Sequence, residues 1–242
     1  MSAEKTLEIL NLFDFNTREL TVPQMAEMLN QPQSSVYRNL RLLKVKGFII
    51  ESNGSYKLGY RFIKLANIVK SDISIGSIAR PIMTQLTKDI GETSILLIRS
   101  EYNAVCLETI PSHQPIKVSS EQGGILPLYG GAASKIILAH MEEKFVDELF
   151  EKGLVKKHTE NTIVDPILLK KNLKEIREKG YCISDSEIDY GVVSLGVPIR
   201  DMENKVIASL SIAGPRDRVL NMDKEKIISK LNNAVKEVNK FI

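Results

Sequence analysis

The sequence predicts an α+β protein: a winged helix-turn-helix at residues 1–59, a linker helix at 60–74, and a larger domain at 75–242. Three observations predict it. Up to Lys46 the apolar residues recur with helical period, in three bursts broken by polar or proline-containing turns. After Gly47 the period changes to two short strand-like runs joined by Asn53-Gly54, a strong hairpin signal because both turn residues tolerate positive φ. Beyond Gly76, strand and helix patterns interleave as in an antiparallel sheet flanked by helices.

Taken in order, the first helix spans Ala3 to Phe15, with Leu7, Leu10 and Phe13 at helical spacing and Ile9 and Leu12 widening the stripe. Asn16 to Glu19 break it. Thr21 ahead of Val22-Pro23 is a hydroxyl N-cap followed by proline in the first turn, so a second helix begins there and stops at Asn30-Gln31-Pro32. A third runs from Gln33 to Lys46, with Gly47 as C-cap. The strands are Phe48–Ser52 and Ser55–Leu58, and a fourth helix covers Tyr60 to Lys70. Ser71 to Gly76 reads as a break between domains.

In the second domain, helices are predicted over Ile78–Lys88, Ala132–His140, Lys144–Lys152, Pro166–Lys179 and from Asp223 to the C-terminus. Strands are predicted over Thr93–Arg99, Ala104–Ile110, Ile116–Ser120, Tyr181–Ser184, Val192–Arg200 and Val206–Ile212, with Asp201 to Asn204 as a hairpin turn.

Composition excludes several classes. A formal net charge of +3 does not advertise a nucleic-acid binder, so such a signal must come from local clustering. Cys106 and Cys182 are far apart and no CxxC occurs. His113, His140 and His158 are scattered, which argues against structural zinc and against a disulfide framework. No signal-peptide pattern opens the chain and no apolar run approaches the about 20 residues that span a bilayer, so a cytoplasmic protein is expected. GxSxG, P-loop and dinucleotide fingerprints are missing, and Ser194 or Ser211 as a nucleophile would lack an evident base. No enzyme activity and no cofactor are therefore expected.

The local clustering is on the third helix. Val36, Leu40 and Leu43 follow i, i+4, i+7 spacing and must face a core, which turns Ser34, Ser35, Tyr37, Arg38, Arg41 and Lys44 outward. Across this helix and the wing, Arg38, Arg41, Lys44, Lys46 and Lys57 are opposed only by Glu51. The N-terminal part of a recognition helix touches bases, which places Ser34, Ser35, Tyr37 and Arg38 in reading positions. Arg41, Lys44 and Lys57 are better placed for phosphates. The same basic face would also serve a protein-interaction module; a steep loss of DNA affinity with salt separates the two.

Gln31 to Leu40, Leu43, Lys46 to Ile49, Gly54 to Leu58 and Tyr60-Arg61 together resemble the recognition segment of the IclR family of bacterial transcription regulators. Leu126 to Tyr129, Ala132 to Lys135, Leu138-Ala139, Gly180-Tyr181, Glu187, Gly191, Val197 to Ile199 and Ser211 to Pro215 extend the resemblance over essentially the whole chain. Tyr129 stands where the family usually has histidine, and Ser134 where it has glycine. The resemblance implies a GAF-like second domain that binds a small metabolite. It also implies a homodimer or homotetramer acting on a palindromic double-stranded operator.

Gly130 to Ser134 opens a helix with small residues, an arrangement suited equally to an anion at the helix N-terminus and to tight packing on a sheet. The resemblance favours a ligand. By it, Ala132 and Ala133 offer backbone donors to a carboxylate, Ser211 lines the pocket, and Ser194 replaces a frequent cysteine. Ser184 replaces a frequent aspartate, with Asp185 beside it, and Ala213 replaces a frequent serine. A small organic acid or sugar-derived acid is the expected effector, acting on a repressor. Asp185, Glu187 and Asp189 alternate at a spacing open to metal ligation, but no histidine is near in sequence and solvated or capping roles are expected instead.

Overall fold

Residues 2–72 and 74–242 are described in a computed structural model, and the chain divides into two compact units, Met1–Ile73 and Ser74–Ile242. The first unit contains α1 (Ser2–Leu10), β1 (Leu20–Thr21), α2 (Val22–Met28), α3 (Gln33–Val45), β2 (Ile49–Ser52), β3 (Ser55–Leu58) and α4 (Arg61–Asp72).

Its core includes Ile9, Leu20, Val22, Met25, Val36, Leu40, Leu43, Ile49 and Tyr56. Thr21 and Pro23 start α2 as expected, and the Gln24 side chain closes the turn by accepting from the Thr21 N–H at 2.8 Å. Asn53 (φ 51°) and Gly54 (φ 79°) make the turn between β2 and β3. The left-handed backbone there is what this residue pair accommodates.

Two details differ from the sequence reading. The first helix ends at Leu10, not Phe15, and among its described residues Thr6 and Ile9 are buried while Leu7 is exposed. Leu20–Thr21 forms a strand on β3, which makes the wing a sheet in the order β1-β3-β2. Two residues are too few for a periodic signal, so only the tertiary pairing reveals that strand.

The second unit contains α5 (Ser74–Ile90), β4 (Thr93–Ser100), β5 (Asn103–Ile110), β6 (Ile125–Pro127), α6 (Ala132–Ala139), α7 (Glu143–Glu151), α8 (Pro166–Lys179), β7 (Cys182–Asp185), β8 (Val192–Arg200), β9 (Val206–Pro215), α9 (Arg216–Leu220) and α10 (Lys224–Val238). The strands form one antiparallel sheet in the order β6-β5-β4-β9-β8-β7. Ile95 and Leu97 of β4 enter the core that holds α6 and α8. Ser94, next to Ile95, bonds Thr87 and the Met83 carbonyl of α5. Helices thus cover both faces, which explains why the central strands read as continuous apolar runs rather than as alternation.

The segment Ile116–Ser120 is not a strand. Its Val118 carbonyl accepts from the Thr93 hydroxyl at 2.8 Å and its Ser120 hydroxyl faces the Cys106 sulfur, so it crosses the sheet as irregular chain. The strand that pairs with β5 is Ile125–Pro127. The expected break at Ser71–Gly76 is helical up to Asp72 and again from Ser74, with Ile73 outside the described residues. β9 extends to Pro215, and the five-residue α9 follows it directly.

Candidate DNA-reading face and effector pocket

On α3 the burial pattern separates two faces. Val36, Asn39, Leu40 and Leu43 are buried. Ser34, Tyr37, Arg38, Arg41 and Lys44 are exposed, and Ser35 is half-buried. Asn39 is the polar member of the inner face, and its Oδ1 accepts from the Thr6 hydroxyl of α1 at 3.1 Å. That pair fixes how α3 lies on α1, and no local pattern hints at it because the partners are 33 residues apart.

The charges on this face are not equivalent. Lys44 lies 2.6 Å from Glu51, whose hydrogen bond and charge raise the pKa of the ammonium. Lys57 lies 2.9 Å from Glu19. Glu19 is held below its ordinary pKa, first by the Ser55 hydroxyl and then by Lys57. Glu19 therefore joins Glu51 as an opposing carboxylate, which corrects the expectation of Glu51 alone. Among the described residues, no ion pair engages Arg38, Arg41 or Lys46. The uncompensated positive charge is thus concentrated on α3 and its C-terminal end.

In the second unit, a cavity of about 110 Å³ lies between the sheet and the N-terminus of α6. Ala132, Ala133, Ser194, Ser211 and Ala213 line it together. Register explains the grouping: Ile95 stands opposite Ser211 and Ala213 opposite Ser194, so these side chains share one face of the sheet. Gly196, opposite Ser211, passes directly beneath α6; a Cβ there would sit 3.2 Å from the Ala133 nitrogen. Its missing side chain is what lets the helix N-terminus approach the sheet.

Ser184 and Asp185 do not line the cavity. Ser184 is buried opposite Ser194 on the edge strand β7, one strand further out. The Asp185 carboxylate turns away to Arg216, at 2.9 and 3.0 Å, and that guanidinium holds it below the usual carboxylate range. Residues not singled out from the sequence as pocket residues complete the wall: Ile95, Leu97, Val118, Ile188 and Val192, with Ser119 and Ser120, beside Leu126 of the family-like segment and Asp189 of the alternating carboxylates. The apolar ones carry no chemical mark that distinguishes them from ordinary core.

The donors at the head of α6 are partly used. The Ala132 N–H donates to Ser194 Oγ at 3.1 Å, and the Gly131 N–H to Glu187 Oε2 at 3.3 Å. Glu187 is buried beside Lys135, itself 1% exposed, with 2.5 Å between Oε1 and Nζ; Asn172 takes a further bond from the ammonium. Asp185, Glu187 and Asp189 therefore face three different surroundings. Tyr129 is buried, and its hydroxyl accepts from the Lys156 N–H at 2.9 Å and meets His158 Nε2 at 3.0 Å. Thr159 and Thr162 in turn donate to the carbonyls of Ser186 and Glu187, so the 156–162 segment holds down the loop that carries Ile188 and Asp189. The pocket offers hydroxyls, helix-terminal amides and apolar walls, and no cation lines it among the described residues.

Comparison with known proteins places both units. Residues 2–50 match the IclR helix-turn-helix domain, and residues 68–240 match the bacterial transcriptional regulator IclR C-terminal domain. The HTH-type transcriptional regulator KipR of Bacillus subtilis is 27% identical over 239 residues, covering 98% of this chain and 95% of its own. The crystal structure of the Thermotoga maritima IclR is 30% identical with a TM-score of 0.78, covering 99% of this chain and 97% of that one. An IclR homolog of Microbacterium hydrocarbonoxydans, solved in complex with 4-hydroxybenzoate, shares the fold at 21% identity and a TM-score of 0.85, covering 99% and 98%. KipR and the C-terminal family are named as transcriptional regulators, and no helix among the described residues is long and apolar enough to cross a membrane. The chain belongs to the IclR family of bacterial transcriptional regulators.

Proposed function

We propose that this protein is a cytoplasmic repressor that binds a palindromic double-stranded operator as a homodimer or a pair of homodimers. A small organic acid or sugar-derived acid in the pocket of the second unit would set its affinity for that operator. The observation that carries the reading is the pair Arg38 and Arg41, both exposed on α3 and in no ion pair among the described residues. An uncompensated arginine on a helix that fits the major groove is suited to bidentate contact with guanine. Ser34, Ser35, Tyr37 and Arg38 are assigned to bases, and Arg41, Lys44 and Lys57 to phosphates.

Pairing of two chains is supported by α4, on which Ile63, Leu65, Ile68 and Val69 are all exposed, together with Tyr60 just before it. Repression asks nothing more of the molecule than occupancy of the operator, whereas activation would need a further surface for polymerase. In the pocket, the Ser194 hydroxyl accepts from Ala132 and keeps its own hydrogen for a ligand oxygen. The Ala133 and Ser134 amides begin a helix, where the macrodipole favours an anion. A volume of about 110 Å³ suits an acid of a few carbon atoms. The 4-hydroxybenzoate bound by the Microbacterium homolog is a carboxylic acid, which agrees with that class.

The test is selection of bound sequences from a random duplex library, followed by fluorescence anisotropy at several salt concentrations. A shared palindrome with half-sites about 34 Å apart, or a multiple of that, supports the reading. Recovery of no common sequence, with salt-insensitive affinity, would favour a winged helix used for protein contacts.

A further inference from the structure

The C-terminal end of α6 borders a second cavity, of about 560 Å³, built from β4, α7 and the β8–β9 hairpin. Arg99, Lys144, Arg200 and Lys205 line it, with His140 and Phe145. Two of these cations are already balanced: Lys144 lies 2.8 Å from Glu142, and Lys205 lies 2.6 Å from Glu203. The two arginines are not.

Arg200 is half-buried and, among the described residues, held by neutral acceptors. It donates to the Asn204 carbonyl at 2.9 Å and to His140 Nε2 at 2.8 Å. The His140 Nδ1 lies 2.9 Å from the Ile136 carbonyl, so Nδ1 carries the hydrogen and Nε2 accepts. Burial and the neighbouring Arg200 and Arg177 keep that ring below its ordinary pKa, against the pull of the Ile136 carbonyl. The ring therefore orients the guanidinium without cancelling its charge. Glu142 and Glu148 also line the cavity; Glu142 pairs with Lys144, whereas Glu148 accepts from the Tyr102 hydroxyl and keeps its charge, and among the described residues it forms no ion pair with either arginine.

Arg99 is fixed differently. Its guanidinium carbon stands 5.6 Å from the centre of the Phe145 ring. That ring stacks on Tyr102 at 5.3 Å, and Lys152 sits over Tyr102. Among the described residues, no ion pair engages Arg99. Two oriented, uncompensated guanidinium groups from different strands thus converge on one cleft. Their planar donor forks match the oxygens of phosphate and carboxylate groups. The α6 terminus does not require them, because Arg177 already donates to the Ala139 carbonyl at 2.8 Å.

We propose that this cleft is a second ligand site, separate from the effector pocket, which takes a small multiply charged anion bearing phosphate or carboxylate groups on Arg99 and Arg200. The test is isothermal titration of the full chain with inorganic pyrophosphate and with citrate, each standing for one of the two groups. Saturable binding at one site per chain is expected, tighter for whichever group the site prefers. It should weaken about tenfold in Arg99→Ala and in Arg200→Gln, the scale of a charge-assisted hydrogen bond. Ser194→Ala, in the other pocket, and Lys179→Gln, on an exposed face, should leave it unchanged. Arg99 is exposed and holds no backbone group, so Arg99→Ala decides the matter even if Arg200→Gln fails to fold. Three results overturn the proposal: no saturable heat at millimolar anion, an equal loss in Lys179→Gln, or displacement of pyrophosphate by duplex DNA.

Discussion

Nζ of Lys135 and Oε1 of Glu187 lie 2.5 Å apart in the interior, and this ion pair joins the helix that floors the candidate effector pocket to the loop that roofs it. A buried ion pair is costly to assemble, and costlier to break from one side, because the remaining charge keeps its desolvation penalty without its partner. Glu187→Ala is therefore expected to lower unfolding stability by roughly 3–5 kcal/mol. The double variant Lys135→Met/Glu187→Met should recover most of that loss. Urea midpoints of the two proteins check this; an equal loss in both would show that the geometry, not the charge balance, carries the stability.

The recognition face makes a graded prediction. Arg38→Ala should cost roughly 1–3 kcal/mol of specific operator binding and relax base preference at one position of each half-site. Arg41→Ala should weaken binding to all sequences alike and reduce the slope of log affinity against log salt by about 1 for each phosphate left unneutralised. Lys57→Gln should do less, because Lys57 must leave Glu19 to reach a phosphate. Anisotropy titrations on one operator and one scrambled duplex separate these effects.

Ser194→Ala removes the acceptor of the Ala132 N–H and the hydroxyl donor at the pocket. Affinity for a bound carboxylic acid should fall by about 1 kcal/mol, the net worth of a typical hydrogen bond. Ser194→Cys, which keeps a polar atom of similar size, should lose less. Calorimetry with the acid that binds the unaltered protein reads both, and wild-type affinity in Ser194→Ala would place the ligand elsewhere.

The cysteines set an alkaline limit. Burial pushes the Cys182 thiol up from its ordinary 9.0 to about 12, and raises that of Cys106 as well. In the unfolded chain both thiols release a proton near pH 9, whereas in the folded chain Cys182 holds its own to about 12 and Cys106 releases its at a higher pH than when unfolded. The folded state then binds more protons, so stability falls as pH rises from about 9 toward 12. Neither thiol should react with Ellman's reagent in the native protein at pH 8, and both should react in urea. Unfolding midpoints across the same pH range give the second check.

Most of the framework is legible in local pattern. Asn53-Gly54 marks the wing, Val36, Leu40 and Leu43 orient α3, and Pro166, Gly180 and the 192–200 run bound elements that the structure reproduces. What escapes is written in contacts between distant residues. Glu19 gives no sign of meeting Lys57 until Leu20–Thr21 pairs with β3. The alternation at Ile116–Ser120 looks like a strand, yet its Val118 carbonyl and Ser120 hydroxyl meet the side chains of Thr93 and Cys106 instead of a backbone ladder. Glu187 reads as a solvated loop residue because Lys135 is 52 positions away. In the pocket, polar residues such as Ser194 and Ser211 can be named, but Ile95, Leu97 and Val192 owe their place there to sheet register alone.

The uncovered apolar residues of α4 have a consequence for how such a regulator responds to its own abundance. If pairing through that helix must precede engagement of both half-sites, occupancy at low copy number follows the square of the number of chains rather than the number itself. Halving expression would then reduce the bound dimer about fourfold. A cell could shift the regulated genes by diluting the protein through growth, with no change in the level of any metabolite.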